Sequence, residues 1–121
     1  MAEATNIMEI TSKWQFDEAV KSEKLTIVDF WAEWCGPCRL LKPLLHKIAG
    51  EHAEIQLLTV DVDQNQELAG EYEINSIPAV FFFKNGEIID NFVGIMPENE
   101  ILEKIQNLNT SEDEIEYKQA A

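Results

Sequence analysis

An apolar, β-branched run, Leu25–Trp31, is followed after a short loop by Cys35 and Cys38, the only two cysteines in the chain. The residues after Cys38 carry apolar side chains at helical spacing, so this segment predicts a strand, a loop and a helix. Cys35 then lies at the helix N-terminus, where unpaired N–H groups and the helix dipole favour an anion. A thiol in that position loses its proton more easily, and the thiolate is the reactive form of cysteine. Two thiols so placed can form and reopen a disulfide, which is the chemistry of dithiol–disulfide exchange.

The rest of the chain alternates between strand and helix patterns, which is typical of a layered α/β architecture. Strands are predicted over residues 7–10, 25–31, 55–62, 79–83 and 88–93. Helices are predicted after an N-cap at Ser12 and over residues 35–50, 63–72 and 98–108. The dipeptide Asn85-Gly86 predicts a tight hairpin between the last two strands. The run Leu25–Trp31 is apolar on both faces, so we expect a central strand that is covered on each side.

Two of the predicted helices carry more specific expectations. The second has an apolar stripe formed by Leu40, Leu41, Leu44, Leu45 and Ile48. Pro43 inside this helix removes a backbone hydrogen bond, which predicts a kink. Asp63 and Gln66 fit a capping pattern at the start of the third helix. We interpret Trp14 and Trp31 as packing residues.

The composition bounds the class of protein and its partners. With 121 residues, 45% of them hydrophobic and 26% charged, the chain is expected to form one globular domain with its own core. Its 23 acidic and 9 basic residues give a formal net charge of −14. Since a field of this sign repels phosphate groups, we expect neither nucleic acid nor an anionic membrane surface as a partner.

The sequence also suggests a cellular location. Residues 1–6 contain no basic region leading into an apolar one, so we expect no secretory signal. No stretch is long and apolar enough to span a bilayer. The expected location is therefore a reducing cytoplasm, where an isolated Cys-x-x-Cys indicates redox or metal chemistry. The mature form of an organelle protein, cut from a transit peptide, would look the same.

A zinc site is the alternative use of the cysteine spacing. A structural zinc ion needs four ligands, and the two cysteines would have to be joined by His46 and His52. These histidines are six residues apart, which does not place them on a common helix face. We therefore expect no metal, and we interpret both histidines as surface residues near a helix C-terminus.

The run from Asp29 to Cys38 reads Asp-Phe-Trp-Ala-Glu-Trp-Cys-Gly-Pro-Cys, and it resembles the active-site segment of the thioredoxin family. Disulfide isomerases and periplasmic oxidants differ, because they usually carry a histidine between the cysteines. The resemblance extends from about residue 12 to residue 108 and includes Pro43, residues 61–65, Ile77-Pro78 and Val93-Gly94. It implies the thioredoxin fold over residues 1–109, with a central mixed sheet of five strands flanked by four helices. Residues 110–121 would then form an acidic C-terminal tail.

The resemblance implies a catalytic role for three residues. Cys35 would attack as the thiolate and form a mixed disulfide with the substrate, and Cys38 would resolve it. Asp29 would exchange a proton with Cys38. Independently, a carboxylate inside a strand that is apolar on both faces should have a raised pKa, because burial disfavours its charge. Many thioredoxins place a lysine near this aspartate on the next strand, whereas Thr59 stands at the matching position here.

A substrate groove is also implied. Its residues would be Trp34, Gly36, Pro37, Ile77, Pro78, Gly94 and Ile95. Gly36 leaves room for a partner backbone, and Pro37 presets the first helical turn. The Ile77–Pro78 bond is expected to be cis, with the Ile77 backbone pairing with an extended substrate by strand addition. Ala79 follows this proline where family members usually have threonine.

The implied function is that of a cytoplasmic protein-disulfide reductase, which carries electrons through a redox-active Cys35–Cys38 disulfide. It would bind no cofactor, since a thioredoxin reductase that draws on NADPH would recharge it. Its expected partners are that reductase and disulfide-containing proteins, and we expect a monomer. Two alternatives remain open: a binding subunit or chaperone that uses the same patch without turnover, and an oxidant or isomerase.

Overall fold

A computed structural model describes residues 5–109 of the chain, and all nine predicted elements are present within them. The strands are β1 (Ile7–Glu9), β2 (Leu25–Trp31), β3 (Ile55–Asp61), β4 (Ala79–Lys84) and β5 (Glu87–Val93). The helices are α1 (Lys13–Ala19), α2 (Gly36–Glu51), α3 (Gln66–Glu71) and α4 (Glu98–Leu108). The predicted acidic tail, residues 110–121, lies outside the described residues, so the domain boundary at residue 109 stays a prediction.

The sheet is mixed and has the strand order β1-β3-β2-β4-β5. β1 and β2 both run parallel to β3, whereas β4 runs antiparallel to β2 and to β5. β2 therefore lies at the centre, with a hydrogen-bonded neighbour on each side. This position explains its apolar sequence, because six of its seven residues are buried. The predicted five-stranded mixed sheet with four helices is confirmed.

Side-chain alternation along β2 divides the core into two halves. Leu25 and Ile27 pack in a cluster with residues of α2 and α4. Val28 and Phe30 pack on the opposite face in a cluster with residues of α1 and α3. Because successive side chains of a strand point to opposite faces, Asp29 faces the α2 side. This alternation places the predicted carboxylate under the helix that begins beside the cysteines.

Two local predictions are confirmed by the backbone. Ser12 is the N-cap of α1, and its hydroxyl oxygen accepts a hydrogen bond from the Gln15 amide at 3.1 Å. Asn85 and Gly86 have φ values of +53° and +82°, as a two-residue turn between twisted antiparallel strands requires. The cap and the turn could be predicted from sequence because each depends on the geometry of only a few adjacent residues.

Some sequence predictions are wrong in detail. Leu40 is 67% exposed, because it lies about 100° around α2 from Leu41, which faces the sheet. Trp14 is 74% exposed rather than packed, because the buried face of α1 is the one that carries Phe16. Asp63 is not the N-cap of α3, because the N-cap position is occupied by Asn65, two residues later. For Leu40 and Trp14 the predicted helix is correct, but the tertiary contacts bury another face of it. The Asp63 side chain accepts a hydrogen bond from the Trp34 indole instead of capping the helix.

Candidate functional site

The two cysteines form a disulfide at the N-terminus of α2. Cys35 is the N-cap residue with an extended backbone, and its Sγ accepts a hydrogen bond from the Cys38 amide at 3.2 Å. Pro37 lies in the first turn of α2, where a backbone N–H would have no partner within the helix, so proline costs no hydrogen bond there. Cys35 is 4% exposed and Cys38 is 1% exposed. The Cys35 sulfur therefore accepts a hydrogen bond from one of the backbone N–H groups that stabilise an anion at a helix N-terminus.

The loop before β4 lies against Cys35. The Ile77–Pro78 peptide bond is cis, which confirms the expectation from the resemblance. The carbonyl oxygen of Ile77 is 3.7 Å from Cys35 Sγ. A disulfide sulfur has no proton to donate, so this is a contact in the oxidised protein and becomes a possible hydrogen bond once the thiol forms. Ile77 precedes Ala79, the first residue of β4 in the sheet register.

Gly94 and Ile95 lie next to this loop. The Gly94 amide donates to the carbonyl oxygen of Pro78 at 2.8 Å. Gly94 has a φ of +90°, which side chains other than hydrogen rarely permit. Ile95 follows it and is 54% exposed. The end of β5 therefore meets the loop that contacts Cys35.

Trp34 lies on the surface beside the cysteines and is 68% exposed. Its indole Nε1 donates to Asp63 Oδ2 at 2.8 Å. Sequence reasoning missed this role of Asp63 and assigned it to a helix cap. A usable signal was present: Trp31 and Asp61 are paired across the parallel strands β2 and β3, so the residues that follow them emerge at the same edge of the sheet.

The loop between β2 and α2 is fixed by a second side chain. Arg39 donates from Nε and Nη2 to the carbonyl oxygen of Glu33, at 3.2 and 2.9 Å. Gly36 is exposed, and no atom outside its neighbours lies within 4 Å of the space that a Cβ would take there. The loop before Cys35 is thus held by a side chain of α2, and the surface at Gly36 stays open.

Asp29 lies beneath this site and is 1% exposed. Neither of its carboxylate oxygens has a hydrogen-bond partner among the residues that the structure describes. Burial raises its pKa from 3.8 to about 7, against a smaller opposing effect of the Lys42 ammonium. The expected rise in pKa is therefore confirmed, and this carboxyl group can take up and release a proton near neutral pH.

Comparison with known proteins identifies the architecture. A family model described as thioredoxin matches residues 7–107. The chain belongs to the thioredoxin family. A thioredoxin of Mycoplasmoides gallisepticum is 41% identical over 97 residues, which are 80% of this chain and 97% of that protein.

Two further thioredoxins show the range of the likeness. A mitochondrial thioredoxin of Mus musculus is 44% identical over 86 residues, which are 70% of this chain and 52% of that protein. The solved structure of a mutant thioredoxin from Halobacterium salinarum has a TM-score of 0.81 at 26% identity, covering 92% of this chain and 97% of that one.

Family membership and the disulfide at Cys35 and Cys38 together define the activity. The protein is a thiol–disulfide oxidoreductase that reduces disulfides in other proteins, and the Cys35–Cys38 pair is its redox-active group. Among residues 5–109, no group of three or more His, Cys, Asp or Glu side chains is arranged to hold a metal ion. Within the same residues, no helix is long and apolar enough to cross a membrane.

A cavity of about 450 Å³ beside the thioredoxin disulfide reaches Cys38 and is also lined by Trp31 and Lys42. The Lys42 ammonium lies 3.4 Å from the centroid of the Trp31 ring, so the two side chains form a cation–π contact. Sequence reasoning did not find Lys42. Its spacing of four residues from Cys38 on a helix is a signal that could have placed it on the same face.

Proposed function

We propose that Cys35 is the attacking thiolate of this thioredoxin and that Cys38 is the resolving thiol. The observation that carries the proposal is the position of Cys35 as the N-cap of α2, with its sulfur accepting the Cys38 amide hydrogen. A helix N-terminus lowers the pKa of a thiol, because the backbone donors and the helix dipole stabilise the thiolate. Cys38 lies inside the helix and is less exposed, so the substrate meets Cys35 first.

In the first step, the Cys35 thiolate attacks one sulfur of a substrate disulfide. A Cys35–substrate disulfide bond forms, the substrate S–S bond breaks, and the second substrate sulfur leaves as a thiolate that takes a proton from solvent. The attacking geometry is set by the loop that contains Ile77 and Pro78, since the Ile77 carbonyl lies 3.7 Å from the nucleophilic sulfur.

In the second step, Cys38 gives its proton to the Asp29 carboxylate and attacks Cys35 Sγ. The Cys35–substrate bond breaks, the Cys35–Cys38 disulfide forms, and the substrate sulfur that was bonded to Cys35 leaves as a thiolate that takes a proton from solvent. Two electrons have then passed from the protein dithiol to the substrate disulfide. Asp29 suits the role of proton acceptor because burial raises its pKa to about 7, close to the pH at which the reaction runs.

The proposed substrate groove surrounds Cys35. Its exposed apolar side chains, Trp34 and Ile95, offer contact area without demanding a particular sequence. An extended substrate can pair with the backbone of Ile77, which lies before the paired part of β4. Gly36, Pro37, Pro78 and Gly94 complete the groove with small or rigid residues. Main-chain recognition of this kind suits a reductase that acts on many proteins.

Recycling and location complete the proposal. A thioredoxin reductase that draws on NADPH returns the disulfide to the dithiol, so the protein is an electron carrier. The cytoplasm is the proposed location, because a dithiol of this kind works in a reducing compartment. The mitochondrial name of the mouse relative makes an organelle the alternative, which cell fractionation distinguishes. A monomer is proposed because a net charge of −14 makes copies of the chain repel one another.

The roles of the two cysteines are tested with insulin as the substrate and dithiothreitol as the electron donor. Cys35→Ser should abolish turnover, because it removes the proposed attacking thiolate and leaves only Cys38, which is 1% exposed. Cys38→Ser, reduced beforehand and then freed of dithiothreitol, should stop at the mixed disulfide, which mass spectrometry detects as a covalent insulin adduct on Cys35. The double serine variant is the matched control and should form no adduct.

The opposite pattern contradicts the assignment. An adduct on Cys38 in the Cys35→Ser variant, at the rate seen for Cys38→Ser, would exchange the two roles. A coupled assay that follows NADPH consumption with a thioredoxin reductase tests the recycling step separately. Full biological activity of the double serine variant would favour the binding or chaperone alternative.

A further inference from the structure

Asp29 has no charged neighbour on either adjoining strand. In the sheet register it lies opposite Thr59 of β3 and Val80 of β4. These two residues are 3% and 0% exposed, and neither side chain carries a charge. A cation for the Asp29 carboxylate must therefore come from outside the sheet.

Helix α2 brings a cation to the same side. Lys42 lies four residues, about one helical turn, after Cys38. Its ammonium nitrogen is 3.4 Å from the centroid of the Trp31 ring. Trp31 and Asp29 are two residues apart on β2, so their side chains leave the same face of the sheet. The indole ring therefore holds the ammonium on the face that carries Asp29, at the edge of the cavity that reaches Cys38.

We propose that Lys42 is a positioning residue that favours the ionised Asp29 carboxylate in place of a strand lysine, and that it thereby sets the pH range in which Cys38 resolves the mixed disulfide. The second half of this proposal rests on the proton-acceptor role of Asp29 given under Proposed function. The electrostatics agree with the geometry, because the Lys42 ammonium lowers the pKa of Asp29 while burial, the larger effect, raises it.

Other charged groups on this side of the sheet are engaged elsewhere. The ion pairs between α2, α4 and β5 are Lys47–Glu98, at 3.2 Å, and Lys104–Asp90, at 2.6 Å. Lys47 is 54% exposed, whereas the Lys104–Asp90 pair is partly buried. Neither pair contributes to the pKa of Asp29.

Helix α2 carries two further groups that can hold a charge on this side of the sheet. Arg39 is exposed and donates to the Glu33 carbonyl oxygen. His46 is half-buried rather than on the surface as predicted, and its pKa is lowered by burial and, to a smaller extent, by Lys42. Within residues 5–109, Lys42 is thus the charged side chain that acts on Asp29, and it acts on His46 as well.

The coupling is tested by NMR titration of the Asp29 carboxyl carbon in the oxidised protein. Lys42→Met removes the ammonium and keeps an apolar chain against Trp31. The Asp29 midpoint should rise by about one pH unit, the low end of the effect of an opposite charge near a carboxylate. The same samples report His46, whose midpoint should also rise because it loses the same cation.

Three variants separate charge from packing. Lys42→Arg keeps the cation and should restore the wild-type midpoint. Lys47→Met removes a cation from the same helix, where it faces Glu98, and should leave the Asp29 midpoint unchanged. Thr59→Lys in the Lys42→Met background supplies the cation from β3 and should lower the midpoint again. An Asp29 midpoint that is the same in Lys42→Met as in Lys47→Met would overturn the proposal, whether or not the Thr59→Lys protein folds.

The kinetic half is tested by single-turnover release of the substrate, measured against pH. The pH midpoint of the release rate should move upward in Lys42→Met together with the Asp29 midpoint. If the Asp29 midpoint moves and the rate profile does not, Asp29 is not the proton acceptor. That result would contradict its role under Proposed function and the kinetic half of this inference, while the coupling of Lys42 to Asp29 would stand.

Discussion

The amide nitrogen of Gly94 donates to the carbonyl oxygen of Pro78 at 2.8 Å, and this bond joins the end of β5 to the loop before β4. Pro78 is in turn part of the cis peptide whose own carbonyl oxygen, that of Ile77, contacts Cys35 Sγ. The shape of the proposed groove therefore depends on a backbone position at which φ is +90°.

Gly94→Ala should lower the free energy of unfolding by about 1–2 kcal/mol, because a side chain at positive φ strains the backbone. The cost comes from the backbone alone, since no atom outside its neighbours lies within 4 Å of the space that a Cβ would take. Urea unfolding gives the stability change, and the KM for insulin should rise as the groove distorts. Gly70→Ala is the control: it lies in α3 with equal free space and should stabilise by about 0.5–1 kcal/mol. Equal effects of the two substitutions would refute the argument.

Asp29→Asn should remove the part of the pH dependence of folding stability that the Asp29 carboxyl group causes. Since the folded pKa is raised from 3.8 to about 7, the folded protein holds a proton that the unfolded chain has already released in this window. The contribution of Asp29 to the free energy of unfolding therefore falls as the pH rises from about 4 to about 7, and it is constant above that range. A shift of about 3 pKa units corresponds to about 4 kcal/mol, so Asp29→Asn should gain up to that amount relative to wild type across the window.

Denaturant unfolding at a series of pH values measures this difference. Glu51→Gln, on the exposed surface of α2, removes one carboxylate without entering the buried site and serves as the control. A difference between Asp29→Asn and wild type that stays constant from about pH 4 to about pH 8 would show that Asp29 titrates normally in the folded protein.

Trp34 and Asp63 should be energetically coupled. The 2.8 Å bond between Trp34 Nε1 and Asp63 Oδ2 joins the residues that follow β2 and β3. In a double-mutant cycle with Trp34→Phe and Asp63→Ala, we expect a coupling free energy of about 1 kcal/mol in the stability of the protein. The KM for insulin should rise in both single variants, because the indole ring loses its orientation. Strictly additive effects would argue that the bond contributes nothing.

Asn6→Ala should destabilise the fold at a point far from the cysteines. The Asn6 side-chain amide donates its two hydrogens to the carbonyl oxygens of Ala49, His52 and Ile55, at 2.8, 3.2 and 2.9 Å, so that one hydrogen is shared. These bonds join the start of β1 to the end of α2 and the start of β3, and their loss should cost about 1–3 kcal/mol. Asn91→Ala, at an exposed position, is the control for thermal unfolding. A loss no larger than that of the control would mean that water replaces these bonds at no cost.

Much of the fold follows from signals that short stretches of sequence carry. Ser12 caps α1 and Asn85-Gly86 turns the last hairpin, because each requires only the geometry of adjacent residues. The apolar run Leu25–Trp31 predicts a central strand, because only a strand covered on both faces can bury every side chain. The exposure of Leu40 and Trp14 was not predicted, because periodicity alone does not say which edge of an apolar face stays in contact with solvent.

By itself, the sequence determined the order of the elements, the position of Cys35 at a helix start and the burial of Asp29 in an apolar strand. The tertiary structure alone decided what surrounds them. It brings Pro78 and Gly94 into a hydrogen bond, Asp63 under Trp34, and Lys42 over Trp31 on the face that carries Asp29. The physical reason is that these contacts join residues on different elements, and their distances are set by strand register and helix placement, which a local pattern does not encode.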